Sequence, residues 1–300
     1  MNTLVKLLLV GWMTSGLLMV AATASGEPRE SGYKPVAPNP SYNDVTALTF
    51  REYDRKVPYG EHPDQYGLLW LPDDPEPKGK PTVVLVHGGC WLSAYDINHT
   101  RALATALALE GYPVWSLEYR RSDENASSWP QSLHDLQRGV QAIRKLPLDG
   151  LNHDEVVLVG HSAGGHLALL LAASWGEVFA GQAPRVSALG LAAITDIADY
   201  AGGTNGCQKA AALFMGAAPG EAPAAYAAAN PATLGINVPV ILLQGDGDQI
   251  VPRAQLESLR ADNVTTRIEP GAGHFDWVHP GTPAFQTLLE TLSQLQNYDA

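Results

Sequence analysis

The stretch that decides the fold is Val156-Val157-Leu158-Val159-Gly160-His161-Ser162-Ala163-Gly164, followed by the apolar run Gly165-His166-Leu167-Ala168-Leu169-Leu170-Leu171-Ala172-Ala173-Ser174. Val156–Val159 reads as a short buried strand, and Ala163–Ser174 as a buried helix. Between them Ser162 is flanked by glycines at 160 and 164. A serine on a sharp strand-to-helix turn needs small residues on both sides, because a side chain there collides with the neighbouring elements. The start of the helix adds backbone N–H groups and a positive dipole end beside the Ser162 oxygen. The five residues alone also fit a tight turn with a structural serine. Their place between an apolar strand and an apolar helix makes Ser162 a candidate nucleophile.

Outward from this turn the chain repeats the same alternation. Further strands are expected at Val83–Val86, Val114–Leu117, Ala188–Ala192, Val240–Gln244 and Thr265–Ile268, with an earlier, antiparallel one at Leu68–Leu71. Helical patterns lie near Thr100–Glu110, Ser132–Leu146, Arg253–Ala261 and Thr282–Gln296. Short apolar strands alternating with helices imply an α/β protein, a mostly parallel sheet with helices on both faces. Residues 195–235, rich in Ala, Gly and Pro without a clear strand, read as a small lid-like excursion over the sheet edge. No repeat or composition break divides residues 46–300, which are expected to form one domain.

Three more motifs carry chemistry. His87-Gly88-Gly89-Cys90-Trp91 follows a strand directly, and consecutive glycines let backbone N–H groups turn toward a developing oxyanion. The expected donors are the N–H groups of Gly89 and Cys90, with Ala163 from the helix start. Gln244-Gly245-Asp246-Gly247-Asp248-Gln249-Ile250-Val251-Pro252 offers two aspartates able to orient a histidine. Gly271-Ala272-Gly273-His274-Phe275 sets a histidine in a glycine-rich loop, where a general base needs reach. No His-Glu-x-x-His occurs, and His161/His166 and His274/His279 are spaced i, i+5, a poor fit to one helical face, so no metal site is expected.

Taken together, these motifs resemble the α/β-hydrolase superfamily over Leu68–Gln296. Within it the chain is similar to the hormone-sensitive-lipase-like, kynurenine-formamidase-like and feruloyl/acetylxylan esterases with a His-Gly-Gly motif. The resemblance implies the chain order Ser, acid, His. It implies an acid loop reading Gly-x-x-Asp-x-x-Val-Pro, a register that falls on Asp248 in preference to Asp246. Of the two histidines after Asp248, His274 has the glycine-rich loop, while His279 precedes Pro280 in an expected surface turn. It implies a catalytic set of Ser162, Asp248 and His274 that needs no cofactor. His87 is expected to hold the oxyanion loop and His161 to flank the nucleophile. Glu118-Tyr119-Arg120, Trp129-Pro130 and Asp135 resemble a segment that braces the loop beneath the site. One departure stands out: where the lipase-like group has a third glycine, this chain has Cys90.

The N-terminus reads differently. A single charge, Lys6, precedes an apolar stretch from Leu7 to Ala22, and Ala22-Thr23-Ala24 has the small-x-small pattern of a cleavage site. Residues 1–24 are expected to be a signal peptide, residues 25–45 a flexible leader, and the mature protein secreted or periplasmic without stable membrane insertion. Cleavage leaves 18 basic against 31 acidic residues, and the full chain carries −12. Such a charge disfavours nucleic acid and anionic lipid as partners. In an exported protein Cys90 and Cys207 are a candidate disulfide, tying the oxyanion loop to the excursion. The expected function is a serine carboxylic-ester hydrolase acting on small or carbohydrate-linked acyl esters. The alternatives are a serine exopeptidase or amidase, and a non-catalytic binding protein on the same fold.

Overall fold

The computed structural model describes residues 32–73, 79–146, 150–179 and 183–297. The expected signal peptide at 1–24, and the leader as far as residue 31, lie outside the described residues.

A short helix α1 (Tyr42–Thr46) precedes strands β1 (Arg55–Pro58), β2 (Tyr66–Trp70) and β3 (Thr82–Val86). Then come α2 (Arg101–Leu109), β4 (Val114–Leu117), α3 (Gln131–Ile143), β5 (Glu155–His161), α4 (Ala163–Ala173), α5 (Trp175–Val178) and β6 (Arg185–Leu191). The excursion follows as three helices, α6 (Ile197–Tyr200), α7 (Gly206–Met215) and α8 (Pro223–Ala228). The chain closes with β7 (Val240–Gly245), α9 (Ala254–Ser258), β8 (Val264–Glu269) and α10 (Pro283–Asn297).

The strands form one eight-stranded sheet in the order β1-β2-β4-β3-β5-β6-β7-β8. The β1/β2 and β2/β4 pairs are antiparallel, and every other pair is parallel. The expected α/β architecture is therefore present, with Leu68 in an antiparallel strand as anticipated. Side chains alternate along each inner strand. Val84, Val86, Val156 and Leu158 face α3 and α4, while Val83, Leu85, Val157 and Val159 face α2 and α10. Both faces are apolar because both are covered, which is why these strands read as unbroken hydrophobic runs.

Three local expectations need correction. Strand β1 went unrecognised because Arg55-Lys56-Val57-Pro58 is polar and ends in proline, a composition suited to a sheet edge. The helical pattern at 253–261 yields only α9, since Leu259 is already extended. The leader is, in its described part, fixed to the domain. Ser41 and Asp44 form a capping box on α1, Val45 is buried, and the Val36 N–H donates to the Gly281 oxygen at 2.9 Å. Proline and asparagine hid it by breaking any periodicity.

Strand order reverses between β3 and β5: β4 lies to one side of β3, and the chain then crosses to β5 on the other. In open α/β sheets such a switch point opens a crevice at the carboxyl ends of the strands. The Ser162 turn leaves β5 there, and the His87-Gly88-Gly89 loop leaves β3 beside it.

Candidate active site

Ser162 sits at φ 57°, ψ −121°, a backbone conformation that non-glycine residues rarely adopt. Its N–H donates to the Leu191 oxygen at 2.9 Å, and its carbonyl accepts the His166 N–H at 3.1 Å. These bonds hold the strained residue between two sheet neighbours and the first turn of α4. The flanking glycines are required sterically: a Cβ on Gly160 would overlap the Gly164 backbone, and one on Gly164 the backbone of Val86 and His87. Ala163 opens α4, so its N–H has no helical acceptor.

The loop after β3 makes a tight turn in which Cys90 and Trp91 both have positive φ, 53° and 58°, closed by Leu92 N–H to the Gly89 oxygen at 2.9 Å. Two non-glycine residues in this region cost about 1–2 kcal/mol each, so the surroundings must enforce them. Three anchors do. Cys90 is joined to Cys207 of α7 by a disulfide. The Trp91 ring is fully buried and stacks on Phe214 at 5.0 Å. Its indole N–H donates to His166 Nδ1 at 3.3 Å, and His166 Nε2 donates to the Ala229 oxygen at 2.7 Å. The candidate disulfide therefore exists, and the excursion is bound to the oxyanion loop through α7 and α8.

His87 fixes the other end of that loop, as expected. Its Nδ1 lies 2.8 Å from the Gly88 oxygen and its Nε2 2.8 Å from Glu118 Oε1. Burial alone would raise the Glu118 carboxyl, but the charge and hydrogen bond of His87, with Arg121 and the Tyr119 N–H, hold it below its ordinary value. Tyr119 adds a 2.8 Å bond from its hydroxyl to the His87 oxygen. The Arg120–Asp135 pair is bidentate, at 2.8 and 2.7 Å, and its carboxylate is fully buried. It braces the chain after β4.

Between the two aspartates the structure discriminates directly. Asp248 Oδ2 accepts from His274 Nδ1 at 2.8 Å. Its Oδ1 accepts the N–H groups of Ile250 and Val251 at 2.7 and 2.9 Å. Burial pushes the Asp248 carboxyl up, yet these bonds and the His274 charge outweigh it and keep the carboxyl below its ordinary value. Asp246 instead accepts the Gly271 N–H at 2.6 Å on the exposed side of the loop. Because Asp248 takes the Nδ1 hydrogen, the neutral ring of His274 leaves Nε2 as an acceptor. His279, expected in a surface turn, is buried, and its Nδ1 accepts the Gly281 N–H at 3.1 Å.

Ser162, His274, Gly89 and Cys90 line one cavity of about 170 Å³. Its remaining walls are Tyr42, Tyr95, His99, His161, Cys207, Ile250 and Phe275. Asp248 stands behind His274, and Ala163 at the base of α4. The arrangement brings a serine, a carboxylate-bonded imidazole and the Gly89–Cys90 backbone to the lining of one cavity.

A family model described as BD-FAE matches residues 69–262. The chain belongs to the BD-FAE family. Among relatives, Esterase LipC of Mycobacterium tuberculosis is 30% identical over 127 residues, covering 41% of this chain and 31% of LipC. The chain thus spans about a third of the length of that curated relative. Among solved structures, Esterase B of Lactobacillus Rhamnosis (HN001) superposes with a TM-score of 0.70 at 22% identity, over 85% of this chain and 90% of that one. A truncated carbohydrate esterase from gut microbiota gives 0.67 at 20% identity, over 82% and 96%. These likenesses identify the fold as that of the α/β-hydrolases.

Several residues that shape the site in this BD-FAE protein escaped sequence reasoning. Gln244 Nε2 donates to Asp248 Oδ2 at 3.0 Å and to the Val251 oxygen at 3.1 Å, steadying the carboxylate. Burial and the His87 charge hold His99 down to about 3, so it enters the cavity wall as a neutral ring. Tyr42 and Phe275 lie outside the BD-FAE match. Tyr42 is revealed only by tertiary proximity, because its segment has no motif of its own, whereas Phe275 directly follows His274 in the glycine-rich loop.

Proposed function

We propose that the protein is a serine esterase in which Ser162 is the nucleophile, His274 the general base and acid, and Asp248 the group that orients His274. The observation that carries this reading is the 2.8 Å bond from His274 Nδ1 to Asp248, with Ser162 and His274 on the wall of one cavity. His274 Nε2 takes the Ser162 proton as the serine oxygen bonds to the ester carbonyl carbon. The N–H groups of Gly89, Cys90 and Ala163 receive the oxyanion, each such donor contributing roughly 10²–10³ in rate. The carbonyl re-forms, the alcohol leaves with the proton from His274, and water then releases the acid by the same steps in reverse order.

LipC is named an esterase, and the two structural neighbours an esterase and a carbohydrate esterase. With a cavity of about 170 Å³, this supports small or carbohydrate-linked acyl esters as substrates. We also propose export through residues 1–24. The Cys90–Cys207 disulfide supports an oxidising compartment, since reducing cytosol disfavours such bonds. The test is hydrolysis of short p-nitrophenyl esters by wild type and Ser162→Ala, alongside labelling with a fluorophosphonate. Turnover and a label on Ser162, both lost in the variant, are expected. Undiminished hydrolysis by Ser162→Ala would overturn the mechanism.

A further inference from the structure

We infer that Tyr42, on the N-terminal helix α1, is a wall of the leaving-group subsite and favours esters whose alcohol part carries a six-membered ring; this rests on the serine-esterase reading above. Three aromatic rings from three separate segments meet at the cavity that Ser162 and His274 line. Tyr42 is edge-on to Tyr95 at 5.5 Å and to Phe275 at 5.7 Å, and Phe275 is in turn edge-on to His274 at 5.1 Å. Tyr42 is only half-buried, so part of its ring remains open toward the cavity.

The side of the cavity follows from the chemistry. His274 must hand its proton to the departing alcohol oxygen, so the alcohol occupies the side of the site on which the His274 loop lies. The oxyanion donors Gly89 and Cys90 stand on another loop, the one leaving β3. Phe275 is the next residue after His274, and Tyr42 packs on Phe275. Tyr95 abuts Gly89 on the oxyanion side, and Tyr42 bridges it to Phe275, so the Phe275–Tyr42 edge is the part of the aromatic wall that borders the alcohol.

The tyrosine is held there firmly. One carboxylate oxygen of Asp276, Oδ2, accepts both the Asn39 N–H and the Gly273 N–H at 2.8 Å. Gly273 immediately precedes His274, so the segment carrying Tyr42 is latched to the loop carrying the base. Asn39 takes a left-handed φ of 70° to reach this position. A rigid aromatic surface binds a ring at little entropic cost, and such contacts shift affinity by roughly two- to tenfold. Tyr42 precedes the stretch matched by the family model, whereas Tyr95 lies within it.

The experiment compares wild type, Tyr42→Ala, Tyr42→Leu and Tyr42→Phe on cyclohexyl acetate, ethyl acetate and ethyl cyclohexanecarboxylate. The two acetates form the same acetyl-enzyme, so the ratio of their kcat/KM values reports the alcohol subsite alone. Tyr42→Ala and Tyr42→Leu are expected to lower the cyclohexyl-to-ethyl ratio about five- to tenfold, mainly through KM. Tyr42→Phe should keep the ratio. An equal fall on both acetates, or no change in the ratio, overturns the inference. A loss confined to ethyl cyclohexanecarboxylate overturns it too, by assigning Tyr42 to the acyl side. If wild type hydrolyses none of the esters, the serine-esterase reading itself fails, whereas turnover with an unmoved ratio removes the Tyr42 role alone.

Discussion

The side chain of His161 holds the backbone of His274: its Nε2 donates to the His274 carbonyl oxygen at 2.9 Å, with the two rings 4.7 Å apart. A residue adjoining the proposed nucleophile Ser162 thus grips the proposed general base. Burial holds the His161 ring well below the usual histidine range, so it stays neutral with its hydrogen on Nε2. Its Nδ1 is buried without a partner. Replacing His161 by Ala frees the His274 loop, and a displacement of about 1 Å there costs on the order of 10²-fold. Steady-state kinetics should show the loss mainly in kcat, with circular dichroism unchanged.

Asp248→Asn leaves the shape of the loop but removes the acceptor that selects the His274 tautomer. By analogy with serine proteases the expected fall in kcat is about 10⁴-fold. Asp246→Asn, which alters only an exposed loop bond, should stay within a few-fold of wild type. Equal losses in the two variants would reassign the orienting acid.

Acid should destabilise the fold through its buried histidines. Burial holds His166 down to about 4 from an ordinary 6.5, and it is neutral while bonded to Trp91 and Ala229. Between those values the unfolded chain binds a proton that the folded chain refuses, so lowering the pH favours unfolding. The His166 contribution is complete above pH 6.5 and is lost as the pH falls toward 4. Thermal unfolding across that range should show a falling Tm, with a shallower slope in His166→Gln.

Reduction of Cys90–Cys207 opens a link between residues 117 apart in sequence. Chain-entropy arguments give up to ~5 kcal/mol for a loop of that size, and a few kcal/mol in practice. Cys207→Ser should lower the denaturant midpoint accordingly and reduce activity, because Cys90 then has only its neighbours to hold its left-handed backbone. Full activity in the variant would mean that Trp91 alone sets the oxyanion turn.

Gly164→Ala adds one methyl against the backbone of Val86 and His87. That end of β3 cannot move without disturbing both Ser162 and the loop from His87 to Trp91. The expected cost is roughly 1–3 kcal/mol, with activity falling far more than stability. Urea titration and ester hydrolysis on the same sample separate the two effects.

The legible parts of this protein are those in which local chemistry and tertiary position coincide. The Ser162 turn announces itself because its glycines are dictated by steric contact within a few residues. The inner strands do so because both sheet faces are covered. Asp246 and Asp248 share one loop, and no local signal separates them; the register of a resembling family pointed to Asp248, which is the aspartate bonded to His274. The segment around Tyr42 was illegible for a different reason. Its anchors, Asp276 and Gly281, lie more than two hundred residues away, and a proline-rich run that borrows its order from distant partners has no pattern of its own. His279 looked exposed because Pro280 follows it, yet the same distant packing buries it.

The single oxygen of Asp276 that binds both Asn39 and Gly273 ties a segment near the start of the described residues to one close to their end. The stretch matched by the family model, 69–262, starts inside β2 and stops before β8. A fragment trimmed to that stretch would lose β1, His274 with its neighbours Phe275 and Tyr42 on the cavity wall, and the α10 cover of one sheet face. Two segments that flank the matched stretch, one at Asn39 and one at Gly273, are thus closed on each other through one carboxylate.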